Sequence, residues 1–276
     1  MKKILHILHL LKLSFFAEFI LSLYSKLKGN GYKLQYSKPF WSAKTKAGYF
    51  YVDYLIDPRQ SIETDVFGLY EDIFYNQYTP KPEDIICDIG AGMGHELPIF
   101  IDKIGRDGQM YLIEASPSTY CGLKHAIKLN SLTNAKAFNL AISELDEGFL
   151  QISDDIENHL GRSIHDDTKS KGSYKDVQQI SIDKFIIDNS INKIDLLIVN
   201  IEGFENNLIQ RFKEIDRVNN IVISCHDFLH YRDSEQFDER FKTFDIVNIF
   251  LKENGFKVSS RKTGQDYKDY YLYGTR

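Results

Sequence analysis

The stretch DIGAGMGHE, residues 88–96, follows the short apolar run Ile85–Cys87. Three glycines at a spacing of two, placed directly after a predicted strand, indicate a tight turn whose backbone can approach a ligand closely. The helix expected to begin near Gly94 would offer its free N–H groups to the same ligand. This stretch therefore predicts a binding site between one strand and the helix that follows it.

Beyond Pro82, apolar runs, glycine turns and helical patterns alternate along the chain. We predict strands at 85–88, 109–114, 135–140, 195–201, 221–225, 256–260 and 270–273, and helices at 99–104, 117–130, 205–215 and 238–254. Strands that alternate with helices predict an α/β fold, with a mostly parallel, seven-stranded sheet and helices on both faces.

Two segments depart from this rhythm. Residues 1–80 are predicted to be a basic and aromatic N-terminal extension, with an apolar helix, a hairpin strand at 49–52 and a helix at 65–78, while residues 81–276 form the α/β domain. A polar insertion at about 151–178 is interpreted either as a flexible surface loop or as a lid over the site. Its His159, His165, Asp166 and Asp167 favour a solvated loop over a set of ligands.

The spacing of the glycines restricts the ligand. A dinucleotide site has G-x-G-x-x-G, whereas this turn has G-x-G-x-G with an acid, Asp88, two residues before the first glycine. An acid there disfavours a pyrophosphate and favours a cationic cofactor, and S-adenosylmethionine carries an ammonium and a sulfonium. The alternative is a glycine-rich turn with strand-end acids that face water.

Further polar residues at the predicted strand ends fit this cofactor. Glu114 ends the second strand, where a carboxylate can accept both hydroxyls of a ribose. Asn139 ends the third strand and could face the adenine, and Glu96 either adds a charge near the ammonium or favours the helix N-terminus. The predicted cofactor-binding residues are Asp88, Gly90, Gly92, Gly94, Glu96, Glu114 and Asn139.

Four motifs together resemble the FkbM family of S-adenosylmethionine-dependent methyltransferases, over roughly residues 78–225. They are DIGAGMG (88–94), LIEASP (112–117), ISIDKF (180–185) and NIEGFE (200–205). The resemblance implies a class I, Rossmann-like methyltransferase fold and, most often, methylation of oxygen atoms on sugars or natural products. The family usually has a lysine and an aspartate where this chain has Ile198 and Asn200, and Asn200 keeps only hydrogen bonding toward the cofactor.

The stretch CHDF, residues 225–228, follows the fifth predicted strand, whose end should lie beside that of the fourth. His226 and Asp227 are thereby expected to approach Glu202. We predict His226 as the base that removes a hydroxyl proton, with a carboxylate to orient it. Two alternatives remain: Glu202, His226 and Asp227 hold one divalent metal such as Mn, Fe or Zn, or the pair at 226–227 is structural.

Charge is distributed unevenly along the chain. Residues 1–46 carry nine lysines and one acid, whereas the whole chain has a net charge of -5. An acidic body would repel phosphates, so nucleic acid is not expected as a partner. The apolar, basic segment 1–28 predicts either a helix packed on the body or on another subunit of a homo-oligomer, or peripheral contact with an anionic membrane. Charged and histidine residues interrupt it too often for a transmembrane span.

The sequence thus predicts a methyltransferase that O-methylates a sugar hydroxyl in a saccharide or glycoconjugate, in the context of polysaccharide biosynthesis. Cys87, Cys121 and Cys225 are widely spaced and indicate free thiols, hence a cytoplasmic location, including the inner face of the membrane. Rival interpretations are N- or O-methylation of a small natural product and a non-catalytic cofactor-binding protein. The changes at Ile198 and Asn200 favour the latter.

Overall fold

A seven-stranded sheet forms the centre of the protein, in a computed structural model that describes residues 14–154, 174–232 and 239–276. Its strands, in spatial order, are β12 (Lys257–Ser259), β13 (Tyr271–Thr275), β11 (Val218–Ser224), β10 (Ile194–Val199), β4 (Ile85–Ile89), β5 (Gln109–Ile113) and β6 (Ala135–Phe138). Neighbours are parallel except β13, which runs antiparallel to both β11 and β12. The predicted mostly parallel, seven-stranded sheet is confirmed, and its strand order is that of class I, Rossmann-like methyltransferases.

Helices cover both faces of this sheet, as predicted. One face carries α2 (Gly68–Phe74), α3 (Leu97–Ile104) and α4 (Pro117–Leu129), and the other carries α5 (Ile182–Asp188), α6 (Glu205–Ile209) and α8 (Phe244–Glu253). Successive side chains of a strand point to opposite faces, so Leu196 and Ile198 join the first core while Leu197 and Val199 join the second. Two short helices, α7 (Asp227–Arg232) and α9 (Asp266–Asp269), lie in connections.

The N-terminal segment adds to the first of these layers. It comprises α1 (Ser14–Leu27) and an antiparallel sheet of β1 (Leu34–Ser37), β2 (Phe40–Lys44) and β3 (Phe50–Asp53), followed by a π-helical segment, Ile62–Phe67, that continues into α2. Trp41 and Val52 are buried in the same cluster as Leu97 and Leu123 of α3 and α4. Within the described part of the chain, no helix is long and apolar enough to cross a membrane.

The prediction of a polar loop across 151–178 is wrong at both of its ends. β8 (Phe149–Ser153) pairs antiparallel with β9 (Tyr174–Ser181), and β9 pairs in parallel with β7 (Ala141–Ser143). These strands bury only part of their side chains, so their polar outer residues concealed them in the sequence. The four insertion residues His159, His165, Asp166 and Asp167 lie outside the described residues.

Two predicted helices are shorter than expected, because carboxylates bind backbone N–H groups that the helices would have used. Asp183 accepts hydrogen bonds from the N–H groups of Lys213 and Glu214, and α6 already ends at Ile209. Asp227 accepts those of Thr243 and Phe244, where α8 begins. In both places a long-range hydrogen bond sets an end of a helix, and a local sequence pattern does not reveal it.

The glycine turn after β4 depends on the absence of side chains. Gly90 has a φ of +87°, and a Cβ there would lie 1.9 Å from the backbone oxygen of Asn200, at the end of the neighbouring strand β10. Gly92 also has a positive φ, +55°, but no atom lies within 4 Å of the position of its Cβ. Contact with the backbone therefore fixes Gly90, whereas Gly92 faces open space.

These two glycines make a matched pair for a stability test. Gly92→Ala should destabilise the protein by about 1–2 kcal/mol, the penalty for a side chain in the left-handed region. Gly90→Ala should add a steric clash with a strand end and lower the free energy of unfolding by about 4 kcal/mol or more. Urea unfolding monitored by circular dichroism measures both losses; equal losses would contradict this account of the turn.

Candidate active site

A cavity of about 110 Å³ lies at the carboxyl ends of β4 and β10, where parallel sheets of this kind bind ligands. The predicted residues Asp88, Gly90, Gly92, Glu96 and Asn200 all line it. From the opposite side it is lined by Tyr70, Ile73 and Phe74 of α2 and by Tyr271 of β13. The aromatic N-terminal segment thus forms one wall of the cavity.

Asp88 and Glu96 form a buried acidic pair in this cavity. Asp88 Oδ2 and Glu96 Oε1 are buried and make no hydrogen bond. Burial raises the pKa of Asp88 to about 7, although the neighbouring Glu96 carboxyl lowers it in part. Burial, followed by the charge of Asp88, also raises the pKa of Glu96 well above its usual range. Two carboxyls in this state share a proton near neutral pH, and a cation beside them would release it.

Glu114 and Asn139 do not line this cavity but fix its edge. Glu114 accepts the N–H of Gly92 at 2.9 Å through Oε2 and the N–H of Ser116 at 2.7 Å through Oε1. Asn139 uses its amide nitrogen to donate to the backbone oxygens of Glu114, at 2.9 Å, and of Ala115, at 2.8 Å. Asn139 therefore holds the loop after β5, and its amide nitrogen is engaged there.

Gly94 also lies away from the cavity wall. Its Cβ would lie 2.6 Å from a methyl carbon of Leu97 and 2.8 Å from one of Leu123. The glycine is required because α3 and α4 pack closely against the turn at this point. Of the three glycines predicted to bind the cofactor, Gly94 is thus explained by packing between helices.

His226 lies between two carboxylates beside the cavity. Its Nδ1 is 2.8 Å from Glu205 Oε1 and its Nε2 is 3.3 Å from Glu202 Oε2, with only 2% of the side chain exposed. Burial lowers the pKa of this imidazole, but the charges of Glu202 and Glu205 outweigh burial and raise it to about 10. The imidazole is therefore protonated at neutral pH, so Glu202, rather than His226, is the group able to accept a proton.

The backbone after β10 brings these groups together. Glu202 has a φ of +52° and Gly203 a φ of +99°, so two successive left-handed residues turn the chain sharply. Left-handed backbone is unfavourable for a glutamate and is concentrated at functional sites. The turn leaves the Glu202 side chain 22% exposed, whereas Glu205 is buried at the start of α6.

Glu205 connects three elements. Besides His226, it accepts the N–H of Gly203 at 3.0 Å and the hydroxyl of Thr243 at 2.9 Å. The carboxylate has only 1% of its side chain exposed, and all its contacts are hydrogen bonds or ion pairs, as a buried charge requires. It therefore holds His226 at a fixed place in front of Glu202.

Asp227, one of the predicted catalytic residues, bonds to another element of the protein. Asp227 Oδ2 accepts the N–H groups of Thr243, at 3.0 Å, and of Phe244, at 2.9 Å, and so caps the start of α8. The alternative metal set of Glu202, His226 and Asp227 is not assembled for the same reason. Across residues 14–154, 174–232 and 239–276, no group of three or more His, Cys, Asp and Glu side chains is arranged to hold a metal.

Tyr271 joins the cavity to the histidine cluster. Its side chain lines the cavity, and its pKa is raised by burial first and then by nearby charges that include those of Glu202 and Glu96. The acidic pair at the glycine turn and Glu202 thus both lie close enough to Tyr271 for their charges to affect its hydroxyl. A ligand in the cavity and a second molecule at Glu202 would be neighbours.

Sequence reasoning missed several residues of this site. Glu205 was visible only as the second acid of NIEGFE, and Tyr271 as one aromatic residue in a late strand. His95 also contributes, since its Nε2 donates to the backbone oxygen of Val52 at 3.0 Å and its ring stacks on Tyr51 at 4.6 Å. These contacts join segments far apart in sequence, so no local pattern reveals them.

Comparison with known proteins identifies the family. The family model described as "Methyltransferase FkbM domain" matches residues 88–258, which is more than half of the chain. This region includes the glycine turn, the acidic pair and the Glu202–Glu205–His226 cluster. Among curated proteins, no sequence matches the chain.

Several solved structures are similar to this chain at low sequence identity. A methyltransferase FkbM from Methylobacillus flagellatus KT has a TM-score of 0.48 and 14% identity, over 74% of this chain and 47% of that one. Fibrillarin from Aeropyrum pernix, solved with natively bound S-adenosyl-L-methionine, has a TM-score of 0.46 and 9% identity, over 88% of this chain and 97% of that one. A precorrin-6y C5,15-methyltransferase from Geobacter metallireducens GS-15 has a TM-score of 0.42 and 13% identity, over 76% of this chain and 85% of that one.

This chain spans about half the length of the Methylobacillus protein, 47%. The match to the family model rests on the chain's own sequence and covers the glycine turn, Asp88, Glu96 and the histidine cluster, whereas the cavity residues Tyr70, Ile73, Phe74 and Tyr271 lie outside it. The resemblance seen in the four sequence motifs is thereby confirmed. The chain belongs to the FkbM family of methyltransferases.

Proposed function

We propose that the protein binds S-adenosylmethionine in the cavity beside the glycine turn and transfers its methyl group to a sugar hydroxyl. The observation that carries the proposal is the buried acidic pair, whose Asp88 Oδ2 and Glu96 Oε1 receive no hydrogen bond from any other described residue. A buried carboxylate without a partner is unfavourable, and a ligand with an ammonium and a sulfonium would supply the missing charge. The open space in front of Gly92 leaves room for that ligand to approach the backbone.

The size of the cavity indicates how the ligand would be admitted. Ligand sites usually measure about 300–1,000 Å³, several times more than this cavity. Tyr70, Ile73 and Phe74 of α2 close it from one side. Since α2 continues a π-helical segment, a feature common at functional sites, we expect this cover to shift when the cofactor binds.

The histidine cluster supports the second half of the reaction. The cofactor would supply an activated methyl group, and the protein must position the acceptor oxygen and take its proton. Glu202 is partly exposed beside the cavity and accepts that proton, while the His226 imidazolium stays fixed by Glu205 and steadies the carboxylate. The balance is one new oxygen–carbon bond, one broken sulfur–carbon bond and one proton moved to Glu202.

A sugar fits the surroundings of Glu202. Phe228 lies 5.5 Å from the ring of His226 and 6.3 Å from that of Tyr270, so half-buried aromatic side chains border the base. Aromatic walls with a few convergent polar groups are typical of small-molecule sites. Membership of a family that mostly methylates oxygen atoms on sugars or natural products supports the same acceptor class.

We place this activity in the cytoplasm, in the synthesis of a saccharide or glycoconjugate. Three free cysteines, of which Cys87 and Cys225 are buried, are consistent with a reducing compartment. Screening the purified protein for methyl transfer onto glycan fractions and onto small phenols and alcohols tests the acceptor class. Turnover on small natural products alone would replace the sugar, and cofactor binding without any turnover would indicate a binding protein.

The first prediction concerns the cofactor. Calorimetry should show binding of S-adenosylmethionine and S-adenosylhomocysteine, with Glu114→Ala weakening both by about tenfold or more, since the acid at this strand end suits the ribose and also holds the Gly92 N–H. The exposed Glu253→Gln serves as a control for loss of one carboxylate and should bind like the wild type. If the wild type binds neither compound, the proposed cofactor is wrong.

The second prediction concerns pH. Because the pKa of Asp88 is about 7 and a bound ammonium favours the ionised pair, the affinity for S-adenosylhomocysteine should fall as the pH is lowered through that value. Between about pH 8 and about pH 6 we expect roughly tenfold weaker binding. Asp88→Asn, which removes the carboxyl whose pKa is about 7, should flatten this dependence; an unchanged slope in the variant would exclude Asp88 from the cofactor site.

The raised pKa values of Asp88 and Glu96 also predict how the stability of the free protein changes with pH. A carboxyl whose pKa is higher in the folded than in the unfolded protein stabilises the fold at low pH, and this contribution is lost as the pH rises toward the folded pKa. The thermal midpoint of the free protein should therefore fall between about pH 5 and about pH 8, and less so in Glu96→Gln. Saturating S-adenosylhomocysteine should raise the thermal midpoint again at about pH 8, since a ligand that binds the folded state stabilises it.

The third prediction separates chemistry from structure at the second site. Glu202→Gln and His226→Asn should lower turnover by about 10²–10⁴-fold, the range for a general base, while the affinity for S-adenosylhomocysteine stays within about twofold. Asp227→Asn is the structural control: it should lower the melting temperature through the weakened cap of α8 and keep turnover per folded molecule. Normal turnover in Glu202→Gln would remove Glu202 from the role of base.

A further inference from the structure

Helix α1 presents its apolar side chains outward. Phe15, Phe16, Phe19, Ile20, Leu23 and Leu27 are between 47% and 75% exposed. They recur at steps of three and four, so they share one face of the helix. We call these six residues the outer face of α1. A surface helix of a globular protein normally turns such residues toward its core.

The opposite face of α1 carries the polar residues and contacts the protein. Glu18 accepts the N–H of Tyr36 at 3.0 Å, Ser22 that of Leu34 at 2.9 Å and Ser25 that of Tyr32 at 3.2 Å. β1 is an edge strand, and an edge strand presents unpaired N–H groups that need partners.

These hydrogen bonds fix the orientation of α1. Ala17 and Leu21 are buried on the same inner face, at 1% and 5% exposure. Rotation of α1 to bury its phenylalanines would remove the acceptors of the Leu34 and Tyr36 N–H groups of β1 and of the Tyr32 N–H just before it. The outward position of the apolar residues is thus a consequence of the polar contacts, and the outer face stays available to a binding partner.

The charges around the outer face indicate the kind of partner. Lys26 lies in the last turn of α1 and Lys28 follows it, and both are exposed. Lys33, Lys38, Lys44 and Lys46, in the segment that contacts the inner face of α1, are also exposed and add to the positive charge of the N-terminal segment. Apolar side chains bordered by lysines match a membrane with anionic headgroups, where each lysine adds to the affinity.

The alternative partner, a second copy of the chain through the same face, is less well matched. Two outer faces brought together would also bring their flanking lysines together, and like charges repel. Since Glu18, Ser22 and Ser25 on the inner face of α1 are hydrogen-bonded to the protein, α1 can offer only its outer face to a membrane and would lie along the surface.

We infer that α1 docks this protein onto the surface of a membrane that contains anionic lipids, with its outer face in the interfacial region and its lysines among the headgroups. The contact does not depend on the proposed methyl transfer, because none of its residues lines the cavity or the histidine cluster. It would bring the enzyme to acceptors carried at a membrane surface.

Cosedimentation of the full chain with vesicles tests this inference. Vesicles of phosphatidylcholine mixed with phosphatidylglycerol should pellet the protein, and high salt or phosphatidylcholine alone should weaken the partitioning by about tenfold or more. F16S/F19S should lower partitioning onto the mixed vesicles by about tenfold or more. The matched control I246S/I249S replaces two exposed isoleucines of α8, at 44% and 55%, and should partition like the wild type.

The charged border is tested separately with K26E/K28E, which should lose binding to the mixed vesicles at low salt. All four residues changed in α1 and beside it are exposed, so unchanged thermal melting confirms that each variant is folded. Wild-type partitioning of F16S/F19S would overturn the inference. So would a wild-type dimer that ignores vesicles and dissociates on F16S/F19S, since the outer face would then join two copies.

Discussion

The approach of two strand ends organises the site. Gly90, just after β4, lies so close to the backbone oxygen of Asn200, just after β10, that no side chain fits between them. Parallel pairing of the two strands places their carboxyl ends at the same edge, and the missing Cβ lets the two following turns meet. The first turn carries the acidic pair and the second leads to Glu202. The spacing between the acidic pair and Glu202 therefore depends on one backbone contact.

The second turn illustrates how a buried charge is kept in place. Glu205 is almost fully buried, yet it receives hydrogen bonds from Gly203 and Thr243 and an ion pair from His226. Removal of His226 would leave the charge of Glu205 uncompensated, and such losses are large in a protein interior. The imidazolium of His226 is thus a structural counter-ion to Glu205 and, through its other nitrogen, a neighbour of the exposed carboxylate of Glu202.

The sequence predicts the sheet and the glycine turn, but it does not predict which residues contact His226. The sheet and the glycine turn follow from local signals: apolar runs of strand length, helical spacing and glycines at fixed offsets. The partners of His226 do not, because Asp227 is adjacent in sequence but points to α8, while Glu205 is 21 residues away and points to the histidine. A residue at a strand end can be predicted to lie in the crevice. Which carboxylate faces which nitrogen of His226 is decided by tertiary packing.

The same distinction holds for the N-terminal segment. Glu18, Ser22 and Ser25 follow one another at steps of four and three and so share a polar face, which in isolation favours contact with water. The structure turns this face toward β1 and the residues just before it, because the N–H groups of Tyr32, Leu34 and Tyr36 need acceptors. The sequence shows which residues share the polar face. It does not show that this face contacts the protein, because the edge strand that needs hydrogen-bond acceptors is not evident from the sequence.

The two departures from the family pattern acquire a physical meaning in the cavity. Ile198 and Asn200, where the family usually has a lysine and an aspartate, both line the cavity that holds Asp88 and Glu96. An aspartate at 200 would add a third carboxylate to this wall, and repulsion would oppose the ionisation of the other two. A lysine at 198 would neutralise the pair in the absence of ligand. With neither present, the two carboxyls share a proton, and a cation that entered the cavity would favour the ionised form of both.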